Sequence, residues 1–206
     1  MHENYFAKTA SIVLLESVRL PTQTWGEFTL KVFQQPGDTT YPLALIKGVP
    51  DDSIAPVLVR LHSECLTGDL FDSALCDCGW QLRESLSRIA KQGGILLYLR
   101  QEGRGIGLIN KLKAYRLQEQ GLDTVEANYQ LGFRCDERDY EVAAQMLQAL
   151  NVKRIQLLTN NPQKISDLER YGIQVSGRLK LVAVPNVHNE NYLKTKQAKL
   201  SHWLDF

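Results

Sequence analysis

Long apolar runs are missing from this 206-residue chain. No stretch approaches the roughly 20 residues that a helix needs to cross a bilayer. The apolar residues 12–15 are too few for the core of a secretory signal. Charge of one sign is missing too. Lys and Arg number 24 against 23 Asp and Glu, a formal net charge of +1, so nothing in the bulk electrostatics favours a nucleic acid or an anionic membrane. Repeats, low-complexity segments and Pro- or Ser-rich linkers are absent, which argues for one compact domain. Cysteine is scarce, at four residues. In a chain without an export signal these are expected to be free or metal-bound thiols in a cytoplasmic protein, not disulfides.

What is present is an ordinary globular composition, 44% hydrophobic and 23% charged. Residues 1–17 carry no site motif, and their apolar groups Tyr5, Phe6 and residues 12–15 are expected to pack on the body or on a partner subunit. Phe28, Leu30 and Val32 alternate with Glu27, Thr29 and Lys31, the pattern of a half-buried strand. Residues 43–47 and 57–61 read as two further strands. Helical spacing begins with Leu82, Leu86, Ile89 and Ala90 and stops at Gly93-Gly94. A strand at 95–99, a glycine-rich loop and a helix over 108–120 follow. Residues 122–137 read as irregular, and Asp136 or Glu137 is expected to begin a helix carrying Val142, Met146, Leu147 and Leu150. Beyond a strand at 155–158, Asn161-Pro162 fits the cap and first position of a helix reaching Tyr171. Strands at 173–175 and 179–184 and a polar helix over 190–204 close the chain. The expected fold is mixed α/β (α+β): a β-rich N-terminal part, then alternating helices and strands in one domain.

Chemistry concentrates between Arg60 and Trp80. Cys65, Cys76 and Cys78 have the spacing C-x10-C-x-C. Three soft ligands suit a Zn²⁺ with one open tetrahedral position, the arrangement that activates water; buried unligated thiols are the plainer reading. Glu64 and Asp77 are candidate carboxylates for proton transfer. His62 has two readings, a metal ligand in a His-x-Glu pattern like that of zinc deaminases, or a packing or substrate-contacting residue. Cys135 would complete a closed four-thiolate site, although tight knuckle pairs are the rule there. The loop 103–107 and the junction Thr159-Asn160-Asn161-Pro162 with Lys164 are two anion cradles at helix starts, the first reinforced by Arg104. Asp136-Glu137-Arg138 is a third polar cluster. Two anion sites beside an activated water point to hydrolysis of a nucleotide.

Taken together, Arg60-Leu-His-Ser-Glu-Cys-Leu-Thr-Gly-Asp69, Cys76-Asp-Cys-Gly79, Arg100-Gln-Glu-Gly-Arg104, Asp123-Thr-Val-Glu-Ala-Asn128, Asp136-Glu-Arg138 and Leu158-Thr-Asn-Asn-Pro162 resemble the GTP cyclohydrolase II family. The resemblance runs from Arg19 to the C-terminal helix, leaving residues 1–18 as an N-terminal extension and 19–206 as a single catalytic domain. It implies one Zn²⁺ per chain on Cys65, Cys76 and Cys78, water attack at C8 of guanine with loss of formate, and Tyr115 assisting near C8. It implies Arg138 at the α-phosphate, as nucleophile or charge stabiliser, with Asp136 as its proton acceptor. Arg60, Leu61, His62, Ser63, Glu64, Gln81, Glu102, Gly103, Arg104, Thr124, Thr159 and Lys164 match GTP-contacting positions, with Glu102 or Gln81 reading the guanine edge. Mg²⁺ on the triphosphate, GTP as the substrate, a homodimer, and no nucleic-acid or membrane partner are the remaining implications. Two other readings stand beside this one: a relative that stops at the formamide, and a non-catalytic zinc-stabilised GTP-binding module.

Overall fold

In the computed structural model, which describes residues 12–204, β-branched and leucine-rich segments build seven strands. They are β1 (Val13–Thr22), β2 (Gly26–Gln34), β3 (Leu43–Lys47), β4 (Val57–Ser63), β5 (Gly94–Leu99), β6 (Arg154–Leu158) and β7 (Gln174–Leu179). They hydrogen-bond into one sheet in the order β1-β2-β3-β5-β4-β6-β7. The first three strands are joined by short turns and pair antiparallel, and β3 pairs antiparallel with β5. From β5 onward the pairing β5-β4-β6-β7 is parallel, because each connection there contains helices. The mixed α/β expectation therefore holds, with its β-rich start and alternating second half.

Helices cover both faces of the parallel half. On one side α2 (Cys78–Gln92) buries Leu86 and Ile89 against Leu58, Leu96, Phe28 and Leu158. On the other, α5 (Glu141–Ala149) and α6 (Pro162–Arg170) pack Ala143, Met146, Leu147 and Leu168 against Val57, Val59, Leu61, Ile95 and Leu97. Side chains alternate along a strand, so Arg60 and His62 continue the Leu58 face of β4, and both are buried. The remaining helices are α1 (Leu66–Asp69), α3 (Gly107–Gln118), α4 (Thr124–Gln130) and α7 (Glu190–Leu200).

Several expectations are corrected. Residues 13–18, expected only to pack through their apolar groups, form most of β1, which pairs with β2 along its length. Its exposed valines and leucines gave no alternating pattern to read. Residues 122–137 contain α4, a short helix started by a capping box in which Asp123 accepts from Val125 N and Glu126 N while Glu126 accepts from Asp123 N. The following helix begins at Glu141, not at Asp136 or Glu137, because those residues are bound up with Arg138 and Arg134 in the preceding loop. Past residue 179 no second strand forms; Asn160 brackets Leu181 with a donor and an acceptor at 2.7 and 3.0 Å and takes up its backbone instead. The last helix ends at Leu200, followed by the left-handed Ser201. The Asn161 cap and Pro162 at the first turn of α6 are as read. Tyr5 and Phe6 lie outside the described residues.

Leu97 is fully buried on the α5 face of the central strand. Leu97→Ala is expected to cost about 2–5 kcal/mol of unfolding free energy, measured by urea denaturation.

Candidate active site

The carboxyl ends of adjacent parallel strands form a crevice where loops diverge, the usual ligand position in such sheets. Here the ends of β4, β5 and β6 deliver residues 63–65, 101–104 and 159–161 to one pocket. The residues expected to contact GTP, hold a metal or act in catalysis line that pocket except Leu61 and Asp136; Asp77, weighed for proton transfer, does not line it either. Leu61 sits in the core and offers only its carbonyl, which accepts from Lys164 Nζ at 2.7 Å. Asp136 stands behind Arg138.

The thiols line this pocket. Cys65 precedes α1 and Cys78 opens α2, with Cys76 in the turn between, and their three Sγ atoms lie within 4.8 Å of one another. Glycine makes that crossing feasible. A Cβ on Gly79 would sit 2.1 Å from the carbonyl oxygen of Gly68, and one on Gly68 would meet Cys76 Sγ at 3.0 Å. Sulfurs this close cannot all ionise unaided. Interaction with Cys76 and Cys78, helped by Lys111, holds the Cys65 thiol far below its ordinary range, while Cys65 pushes Cys76 up to about 12, and Cys65 and Cys76 push Cys78 up as well. A thiophilic cation removes the conflict by taking the place of protons between the sulfurs, so the donor set fits a metal ion. Cys135 is not in the cluster; its carbonyl faces Arg104 and Asn128.

His62 is not a ligand. Its Nε2–H donates to Asp69 at 2.9 Å and its ring stacks on Tyr98 at 5.6 Å, while burial lowers its pKa. Asp69 also accepts from the Cys65 backbone N–H at 3.0 Å and the Tyr98 hydroxyl at 2.9 Å, which fixes the first thiol from behind. Asp77, weighed for proton transfer, is buried and shared between Gln81 Nε2 at 2.6 Å and Lys196 Nζ at 3.0 Å. Glu64 is more open and pairs with Arg100 at 3.2 Å. Glu102 accepts from Leu66 N, Gly103 N and Lys111 Nζ at 2.7–2.9 Å. Gln81 accepts from Arg60 at 2.6 Å. Both residues proposed to read a base edge are thus already engaged.

Cations line the same pocket. Arg60 reaches the carbonyl of Leu158 at 3.0 Å, and burial lowers its pKa to about 10. Burial, then Arg60 and Arg138, push Lys164 well below its usual value. Arg138 forms a fork with Asp136 at 2.8 and 2.5 Å and lies 3.5 Å from Ser63 Oγ. Burial works against its charge, but Tyr140 and Asp136 outweigh it and raise its pKa. Gly103 and Arg104 take consecutive left-handed conformations, with φ of 63° and 62°, which turn the loop into the pocket. Thr159 Oγ accepts from Asn161 N at 3.0 Å, and Thr124 opens the capped α4. Tyr115 lies nearer the thiols, 3.4 Å from Thr67 Oγ, and burial pushes its hydroxyl up to about 12.

Sequence reasoning missed Lys111, Asp69 and Lys196. Lys111 Nζ donates to Cys65 Sγ at 3.1 Å, Thr67 Oγ at 2.9 Å and Glu102 at 2.8 Å. Its signal was present: it lies four residues before Tyr115, on the same face of α3.

The fold and site define a mixed α/β protein with a three-cysteine cluster that could hold a metal ion, in a pocket also lined by buried cationic groups. The family model for GTP cyclohydrolase II matches residues 14–180. The chain is 53% identical over 195 residues to the GTP cyclohydrolase-2 of Aeromonas hydrophila subsp. hydrophila, covering 94% of this chain and 98% of that one. It is 53% identical over 197 residues to the GTP cyclohydrolase-2 of Tolumonas auensis, covering 95% and 98%. It is 55% identical over 190 residues to the riboflavin biosynthesis protein RibBA of Bacillus velezensis, covering 92% of this chain and 48% of that one. The chain belongs to the GTP cyclohydrolase II family and is a hydrolase.

Lys111→Met is expected to weaken metal retention at least tenfold in a chelator competition, because it removes the cation beside Cys65. Cys135→Ser should leave retention unchanged.

Proposed function

We propose that the chain hydrolyses GTP, opening the guanine imidazole ring and releasing formate and pyrophosphate to leave 2,5-diamino-6-ribosylamino-4(3H)-pyrimidinone 5′-phosphate, the first step of riboflavin biosynthesis. The observation that carries this reading is one pocket lined both by a three-cysteine cluster and by Arg60, Arg104, Arg138 and Lys164. One zinc ion on Cys65, Cys76 and Cys78 supplies the Lewis acidity that makes a water nucleophilic at neutral pH. The base lies beside that ion. Tyr115 keeps its proton at neutral pH, so its hydroxyl serves there as a hydrogen-bond donor, not as a base.

The triphosphate, with Mg²⁺, lies toward the cations. Arg138 is assigned to stabilising phosphoryl charge. A nucleophilic guanidine has to lose a proton, and the Asp136 fork favours the charged form. Asp136 orients that fork. Burial leaves Lys164 short of charge compensation until an anion arrives. Glu102 and Gln81 act by holding Lys111 and Arg60, since their oxygens are engaged. Thr124, Thr159, Ser63 and Gly103 complete the walls. Among the described residues no helix is long and apolar enough to cross a membrane. A cytoplasmic homodimer, with residues 19–206 as the catalytic domain, belongs to the same proposal.

Mass analysis of GTP products should show formate loss and pyrophosphate, both abolished by chelation and restored by Zn²⁺. A formamide product would place the chain among relatives that stop early, and no turnover by zinc-loaded protein would leave a binding module. Arg138→Ala is expected to lower pyrophosphate release at least a hundredfold with zinc still bound. Tyr115→Phe should slow formate release more than pyrophosphate release; equal loss of both would count against its place at the base.

A further inference from the structure

Helix α7 lies beyond the residues matched by the family model, yet Tyr192 and Lys196 on it face the pocket. The helix is moored from several sides. Leu193 is buried, Lys199 pairs with Asp123 and Glu126 at the cap of α4, and Trp203 N beyond it donates to the Asn160 carbonyl at 2.8 Å. Tyr192 and Lys196 are four residues apart and share the inner face.

Each reaches a different part of the site. Lys196 Nζ donates to Asp77 at 3.0 Å, with the two side chains 10% and 1% exposed. The other oxygen of Asp77 accepts from Gln81 at 2.6 Å, and Gln81 in turn accepts from Arg60 at 2.6 Å. A continuous chain of bonds therefore runs from α7 to the guanidinium on β4. Tyr192 has Arg104 5.5 Å from its ring centroid and Lys196 5.0 Å away. Among the described residues the Arg104 side chain has little else to fix it: a 3.4 Å bond to the Cys135 carbonyl, with its Nη2 buried and without a partner. A guanidinium held by a ring face keeps its N–H groups free for an anion.

We propose that Tyr192 and Lys196 are positioning residues of the substrate pocket, Tyr192 holding Arg104 and Lys196 holding Arg60 through Asp77 and Gln81, each toward the polyanionic part of the nucleotide. The inference rests on the reading of this pocket as a GTP site. A ring that acts through its π face is replaceable by phenylalanine but not by an aliphatic residue. The test is steady-state kinetics with GTP on full-length zinc-loaded protein, with thermal unfolding of each variant. Tyr192→Phe should keep KM within about twofold, whereas Tyr192→Leu raises it about tenfold and lowers kcat less. Lys196→Met should raise KM by a similar factor with zinc content unchanged. Lys194→Met, on a residue paired with Glu190 in the same helix, should match the wild type. Folded Tyr192→Leu and Lys196→Met proteins with wild-type KM would overturn the inference, as would equal losses in Tyr192→Phe and Tyr192→Leu. If Tyr192→Leu does not fold, Lys196→Met decides. A wild-type chain that neither binds nor turns over GTP would overturn the functional reading instead.

Discussion

Three sulfurs held within 4.8 Å of one another are the constraint on which the rest of the site depends. Cys76 and Cys78, helped by the Lys111 ammonium, hold the Cys65 thiol far below its ordinary range, while Cys76 and Cys78 are themselves pushed up. Everything around the cluster serves to keep this closeness. Gly68 and Gly79 let two backbones cross where any side chain would collide. Asp69 ties down the Cys65 amide, and Glu102 ties down Leu66 just beyond it. These are outer contacts that orient ligands in advance, so the cation does not have to order them itself.

The cations of the pocket pose the opposite charge problem. Burial, then the nearness of Arg60 and Arg138, depresses Lys164 strongly, and Asp136 offsets this only in part. Excess positive charge in a low-dielectric site is unfavourable until an anion enters. The two groups are complementary in this respect: clustered thiols whose mutual repulsion a metal ion would relieve and buried cations that an anion would neutralise line one pocket.

How much of this was readable from residues alone depended on the range of the interaction. The thiols, the glycine loop and the Asn161-Pro162 helix start are local patterns, and the structure places them as read. Strands buried on one or both faces announced themselves by alternation or by apolar runs. β1 did not, since its side chains are mostly exposed and its place is fixed by hydrogen bonding to β2. α4 was hidden by its brevity, although the Asp123–Glu126 capping box was there to be seen. Lys196 was out of reach in principle: its partner Asp77 is 119 positions away, and no spacing rule spans that distance.

The same charge balance bears on the role proposed for Arg138. A fork with a buried carboxylate lowers the energy of the guanidinium, and a neutral guanidine would lose both hydrogen bonds of that fork. Asp136 would make a better proton acceptor if its own pKa were raised, but it is lowered, since the attraction of Arg138 outweighs burial. Both members of the pair are therefore held in their charged forms. That arrangement favours a preorganised cation presented to developing phosphoryl charge over a nucleophile awaiting deprotonation. It also explains the position of Ser63, 3.5 Å from the same guanidinium: the end of β4 steadies the free edge of the fork while Asp136 holds the other.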